Sequence, residues 1–366
     1  MFLTREETTQ MKGIAILCIA IHNFAHYYLF GYCQENEMSF RYENWVKFIS
    51  EATNPSWDFI YHFFSFWGWC GVAVFVFLSG YGLVKKYESN KTTFKLKDYI
   101  WKNYEKLFFL MLPGVLFFML ISIAYGKIIG SVKMIAYLTL LNNLILDINP
   151  FNPGVYWYFG LTFQLYLTYL LYNKYRNNTF IFVSIVIFLI TMYAVPLTAE
   201  GIMIMNYMKN NFFSWLPVFL CGIWIGREEG KFKKELHQSI FAILTGVLFG
   251  LSIYMNSNYY LWILLPFCVV MLFVCFVKSV KGLIRINRIL TWLGVFSASI
   301  FVVNPIARVI VLRIMQVFKP DILSQGTYIS TPFFTVFIII YIILIGLLAY
   351  FNDKLYRWFR LHLTNN

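Results

Sequence analysis

Apolar residues run along this chain in blocks long enough to cross a lipid bilayer, and polar residues collect between the blocks. A helix rises 1.5 Å per residue, so about 20 apolar residues span the ~30 Å hydrocarbon layer. On that basis the pattern predicts ten spanning helices, at 12–31, 66–84, 107–125, 156–173, 179–197, 212–226, 239–255, 260–277, 292–311 and 333–351. The stretch 134–146, MIAYLTLLNNLIL, is too short and too rich in Asn to span, and is expected to form a re-entrant or interfacial helix. The fold class predicted is all-α, a polytopic membrane protein with about ten transmembrane helices. No repeat, low-complexity tract or soluble domain interrupts residues 1–366, which read as a single transmembrane domain. Arg5 and Lys12 precede the first block together with Glu6 and Glu7, and the block runs on into bulky aromatics with no small-residue cleavage pattern. It is therefore expected to be an uncleaved first span.

Composition agrees with lipid as the main solvent. Hydrophobic residues make up 60% of the 366 and charged residues only 13%, against about 45–50% and about 25% in soluble domains. The net charge of +13 could suggest nucleic acid, but the basic residues fall in alternate loops. Of the 30 Lys and Arg, 22 lie in 1–12, 85–106, 174–178, 227–238, 278–291 and 352–366. This positive-inside bias predicts both termini in the cytoplasm, an even number of spans and no nucleic-acid partner. A cytoplasmic polyanion such as coenzyme A is a second reason for such a surface. The six Cys show no CxxC spacing, and are read as small buried hydrophobes rather than as metal ligands or a disulfide set. The outer loop 32–65 is long, net acidic and aromatic near its end, and is expected to be structured.

Polar side chains inside spans are costly and so mark candidate function. Here they are His22, Asn23, His26, Gln164, Asn304 and Arg308. His22 lies 10 residues beyond Lys12, about 15 Å along a helix, so it sits near mid-depth. His26 follows one turn later. Imidazole can take a proton from a hydroxyl near neutral pH, and a mid-depth base can serve a donor from one face and an acceptor from the other. Histidines bonded across helices are the structural alternative. Zinc between the two is disfavoured, because no Glu stands between them as in H-E-x-x-H. In the basic loop 85–106, Lys97, Lys102 and Lys106 can meet an anionic cofactor, and Lys102 and Lys106 share a helical face at i, i+4. Positive-inside topology alone would also account for them.

Several of these stretches occur together in one family. KGIAILCIAIHN (12–23), GVAVFVFLSGYGL (71–83), WYFGLTFQLYLTYLL (157–171), WLPVFLCGIWIGR (215–227) and LGVFSASIFVVNP (293–305), with the Lys102–Lys106 approach to the third block, follow in order. The chain resembles the integral-membrane acyltransferase-3 family. The resemblance implies a ten-span, acetyl-CoA-dependent acyltransferase of the cytoplasmic (inner) membrane. Its acceptor would be a sugar, a cell-envelope polysaccharide or a lipid-linked glycan at the far face, and no metal would take part. It implies a catalytic group among His22, Asn23 and His26. Donor binding would fall to Lys12, Lys97, Lys102, Lys106 and Ser79. Substrate or oxyanion contacts would come from Trp157, Tyr158, Gln164, Tyr166, Asn304 and Arg308. Lys12 stands where the family usually has Arg, Asn23 where it has the catalytic His, Thr162 and Phe163 where an acidic residue is common, and Asn304-Pro305 where it has His-Pro. A local π-bulge would turn His22 into the place that Asn23 holds. A transporter or flippase for a lipid-linked sugar would share the span count, but would be expected to show two related halves. A homo-oligomer is compatible with the sequence.

Overall fold

The structure, a computed structural model, describes residues 2–28, 36–37, 39–88, 95–124, 131–144, 154–194, 208–232, 236–320 and 331–363. Every regular element among them is helical. In chain order these are α1 (Arg5–Tyr28), α2 (Tyr42–Thr53), α3 (Phe59–Trp67), α4 (Gly71–Leu83), α5 (Leu96–Ala124), α6 (Ser131–Leu138) and α7 (Trp157–Tyr175). They continue with α8 (Asn178–Ala194), α9 (Phe212–Arg227), α10 (Gln238–Tyr254), α11 (Tyr259–Ser279), α12 (Ile284–Phe318) and α13 (Thr331–Leu363). Each of the ten predicted spans overlaps a helix. Among the described residues, six helical stretches are long and apolar enough to cross a membrane on their own, and α8 and α9 are shorter apolar helices. The protein is an all-α polytopic membrane protein.

The helix ends depart from the hydropathy pattern where polar residues cap or extend a helix. Thr4 and Glu7 start α1 with a reciprocal capping box: Glu7 Oε2 accepts from the Thr4 amide at 2.7 Å, and Thr4 Oγ1 from the Glu7 amide at 3.1 Å. The second span begins earlier than residue 66. Helix α3 starts at Phe59 and passes through a 3₁₀ turn, Gly68–Cys70, into α4. The loop before it holds α2, as its length predicted. In the stretch 134–146, α6 ends at Leu138 and Leu140 turns the chain with φ 59°, so this element is one short helix. Cys33, Lys127 and residues 145–146 lie outside the described residues.

α1 is the inner helix. It packs against α12, α3 and α4, and α4 in turn packs against α9. Glycines permit these approaches: a Cβ at Gly294 of α12 would overlap the Thr9 carbonyl of α1, and one at Gly13 would overlap the Leu290 carbonyl. α8 and α10 keep most side chains exposed, as helices facing lipid should.

One buried ion pair ties three elements together at the basic end. A single π turn, Val84–Glu88, follows α4 and carries Glu88. Arg227, at the end of α9, donates from Nε and Nη2 to the two Glu88 oxygens at 2.7 and 2.8 Å, and from Nη2 to the Tyr172 carbonyl of α7 at 2.9 Å. The Tyr169 hydroxyl donates to Glu88 at 3.1 Å. Replacing Glu88 with alanine leaves the guanidinium buried without its counter-charge, a loss of about 3–5 kcal/mol. We expect Glu88→Ala to lower the thermal unfolding midpoint in detergent, and a second change, Arg227→Met, to restore part of it. A Glu88→Ala midpoint equal to wild type would remove the pair as a fastening.

Candidate active site

α1 brings its histidines against α3 because two glycines admit it. A Cβ at Gly68 would lie 2.6 Å from both the Cys18 carbonyl and His22 Cβ, and one at Gly71 would lie 2.6 Å from the Ala15 carbonyl. α1 is α-helical through this region, with no π-bulge. His22, not Asn23, turns inward and is 1% exposed. Its Nδ1 lies 3.1 Å from the Phe64 carbonyl. A carbonyl only accepts, so in the neutral ring Nδ1 carries the proton and Nε2 the lone pair. His26, half-buried, stacks on His22 with centroids 5.2 Å apart. Its Nδ1 lies 3.1 Å from the Ser65 carbonyl and 3.0 Å from Ser65 Oγ. Asn23 contributes its backbone: its carbonyl accepts from Arg308 Nη1 at 3.2 Å.

A cavity of about 740 Å³ opens among α1, α4, α5, α7, α12 and α13 at the basic end. Five cations line it, Lys12, Lys86, Lys102, Lys106 and Arg360, with Glu105 as the carboxylate found there. Lys12 and Lys106 are near enough to repel each other, and the Lys106 ammonium is within electrostatic reach of the Tyr166 hydroxyl. Further in, the wall carries Ser79, Tyr158, Thr162 and Tyr166, and then Ile19, Phe75 and Phe301. Tyr158 lies beside Ser79 and Thr162 in that wall. The hydroxyls of Ser79 and Thr162 donate to the carbonyls of Phe75 at 2.8 Å and Tyr158 at 2.7 Å. Tyr158 is thus the member of the trio whose proton is not directed at the backbone. Ile19 precedes His22 by three residues, about 4.5 Å along the axis. His22 itself is outside the lining, one turn past the cavity's inner end.

The sequence-predicted residues therefore separate into groups. Lys12, Ser79, Lys102, Lys106, Tyr158 and Tyr166 meet in the cavity, and His22 and His26 stand just beyond it. Lys97 is exposed on the first turn of α5, away from the lining. The remaining polar residues hold helices together. Gln164 Oε1 accepts from the Phe212 amide at 3.0 Å and its Nε2 donates to Asn211 at 3.3 Å, so it closes the start of α9. Asn304 Oδ1 accepts from the Tyr341 hydroxyl at 2.6 Å, and that hydroxyl is also 3.0 Å from the Ala20 carbonyl. Trp157 stacks on Trp215 at 6.3 Å. Sequence reasoning missed Lys86, Thr162 and Arg360. Both cations sat in loops already explained by positive-inside topology, and Thr162 has no charge to announce it.

The residues present fit an acyl-CoA donor: clustered cations at the mouth suit phosphates, and an apolar, hydroxyl-lined interior suits a narrow acyl-bearing arm. A search of curated proteins and one of solved structures each returned no match. A family model, the acyltransferase domain of the acyltransferase-3 family, matches residues 8–351 and so takes in nearly all of α1, the cavity walls except Arg360, and most of α13. With that match over nearly all of its length, the chain belongs to the acyltransferase-3 family and is a membrane acyltransferase.

Proposed function

We propose that this acyltransferase moves a small acyl group, acetyl in the first instance, from cytoplasmic acyl-CoA to a hydroxyl of a sugar, polysaccharide or lipid-linked glycan at the outer face of the inner membrane. The observation that carries the reading is the five-cation cavity leading inward to within about one helical turn of a buried histidine. Its length matches the donor. Lys12 and His22 are separated by about 15 Å along α1. The pantetheine arm has about four residues' worth of backbone bonds, so it reaches roughly 13–14 Å when extended.

Bound acyl-CoA would supply the thioester, whose C–S bond breaks as the ester C–O bond forms. Lys12 and Lys106 hold the diphosphate by charge. His22 Nε2 takes the proton of the acceptor hydroxyl and returns it to the departing thiolate. The Phe64 carbonyl keeps Nδ1 protonated and steadies the imidazolium while it lasts. Tyr158, whose hydroxyl proton is the one free of the backbone, donates to the oxygen on which negative charge develops. The 22 basic residues on one set of loops orient the cavity mouth to the cytoplasm.

The test uses membrane vesicles from cells that make the native acceptor, supplied with acyl-labelled CoA. Label should appear in the glycan or lipid-glycan fraction with wild-type protein. Lys106→Ala should raise the donor KM about tenfold, the worth of one charge-assisted contact, with a smaller change in kcat. Passage of a lipid-linked sugar across the vesicle membrane with no consumption of acyl-CoA would overturn the reading in favour of a transporter.

A further inference from the structure

The five cavity cations fall into two tiers, and the outer tier includes a residue beyond the family-matched segment. Lys12 and Lys106 are the inner pair, in mutual electrostatic reach. Lys86, Lys102 and Arg360 lie toward the helix ends on the basic side: Lys86 in the π turn after α4, Lys102 six residues into α5 against ten for Lys106, and Arg360 three residues before the end of α13. Lys102 stands one turn nearer the start of α5 than Lys106 does. Arg360 comes from the last turns of α13, past residue 351 where the family match ends. Those turns are held in place: Phe359 stacks on Phe109 of α5, centroids 6.0 Å apart and planes 23° from parallel. Tyr356 and Arg360 both lie within electrostatic reach of Lys106.

Acyl-CoA presents its anions in a matching order. The thioester is at one end, the diphosphate follows after the pantetheine arm, and the 3′-phosphate lies beyond it on the ribose. A donor whose thioester points toward His22 therefore brings its diphosphate to the inner pair and its 3′-phosphate to the mouth. The residue types match too. A guanidinium binds a phosphomonoester through two parallel N–H bonds, whereas lysines act as point charges. We propose that Arg360, supported by Lys86 and Lys102, forms the subsite for the 3′-phosphate of the donor, so that the C-terminal end of α13 sets the preference for CoA over its dephosphorylated form. This rests on the donor reading given above.

Equilibrium binding of CoA and of 3′-dephospho-CoA to the full-length protein in nanodiscs tests it without an acceptor. Wild type should bind CoA about tenfold tighter than 3′-dephospho-CoA. Arg360→Gln should weaken CoA about tenfold and leave 3′-dephospho-CoA unchanged, so that the preference disappears, and Arg360→Lys should keep part of it. Arg357→Gln, on the same helix but paired with Asp353 at 2.8 Å and outside the cavity lining, should leave both affinities unchanged. The wild-type preference stands as a measurement even if the Arg360 variants fail to fold. Equal wild-type affinities, or an Arg360→Gln loss of the same size for both nucleotides, would overturn the subsite alone. A wild-type protein that binds neither would overturn the donor reading and the subsite with it.

Discussion

His22→Ala should lower acyl transfer by about 10²–10⁴-fold, the usual contribution of a positioned general base, while the donor KM stays near wild type. In the proposed mechanism His22 lies about 15 Å along α1 from Lys12, so its loss would touch proton transfer and not donor capture. His26→Ala should cost much less. Its Nδ1 is engaged by Ser65 in the same manner as the Nδ1 of His22 by Phe64, but it stands a turn further from the cavity. The comparison is made on protein shown to be folded by its thermal unfolding midpoint, because the His22 ring fills buried space beside Gly68. Full activity in His22→Ala would remove the role assigned to it. Near-total loss in His26→Ala with His22→Ala still active would transfer that role to the outer ring.

The second large effect is on stability. Gly80 of α4 and Gly222 of α9 pack reciprocally: a Cβ at Gly80 would overlap the Phe219 carbonyl, and one at Gly222 would overlap the Phe77 carbonyl. The obstructing atoms are backbone, so neither can rotate aside. Lipid supplies little hydrophobic force between helices, and close backbone packing is what holds such a pair. Gly222→Leu must push α9 off α4, separating Phe77 and Phe219, both fully buried. Overpacking of this kind costs about 1–3 kcal/mol and at times more. We expect a thermal unfolding midpoint lower by several degrees and reduced yield in membranes. Gly246→Ala on the lipid-facing α10 should show neither effect, since a Cβ there would meet nothing within 4 Å. A Gly222→Leu protein with the wild-type midpoint would show that the two helices do not depend on that contact.

Much of the fold was legible because one physical quantity dominates it. An apolar block must be helical in lipid to satisfy its own backbone, and each predicted block overlaps a helix. The misplaced boundaries share a cause: hydropathy marks where lipid is, not where a helix ends. α12 starts at Ile284 and α13 runs to Leu363 through polar sequence, and α3 starts seven residues before the second apolar block. The same blindness hid Arg360, which lies on a helix that outruns its apolar stretch.

The candidate site was legible in part. The lysines of the basic loop and the two imidazoles inside an apolar block were visible in the sequence. The in-span polar groups include Gln164, Asn304 and Arg308, which the structure joins to neighbouring helices. Each of them bonds a helix start, a tyrosine or a backbone carbonyl, and composition cannot distinguish a polar group used for packing from one used for reaction.

By itself the sequence determined the solvent, the helical class, the charge asymmetry between loops and the spacing of His22 from Lys12, because these depend on which residues occur and on spacing along one helix. Only the tertiary structure decided that His22 and not Asn23 turns inward, that its Nδ1 is engaged and its Nε2 carries the lone pair, and that Lys86 and Arg360, more than 270 residues apart, face one cavity. Those outcomes depend on how helices rotate against one another, and that rotation is set by glycine contacts between helices far apart in the chain.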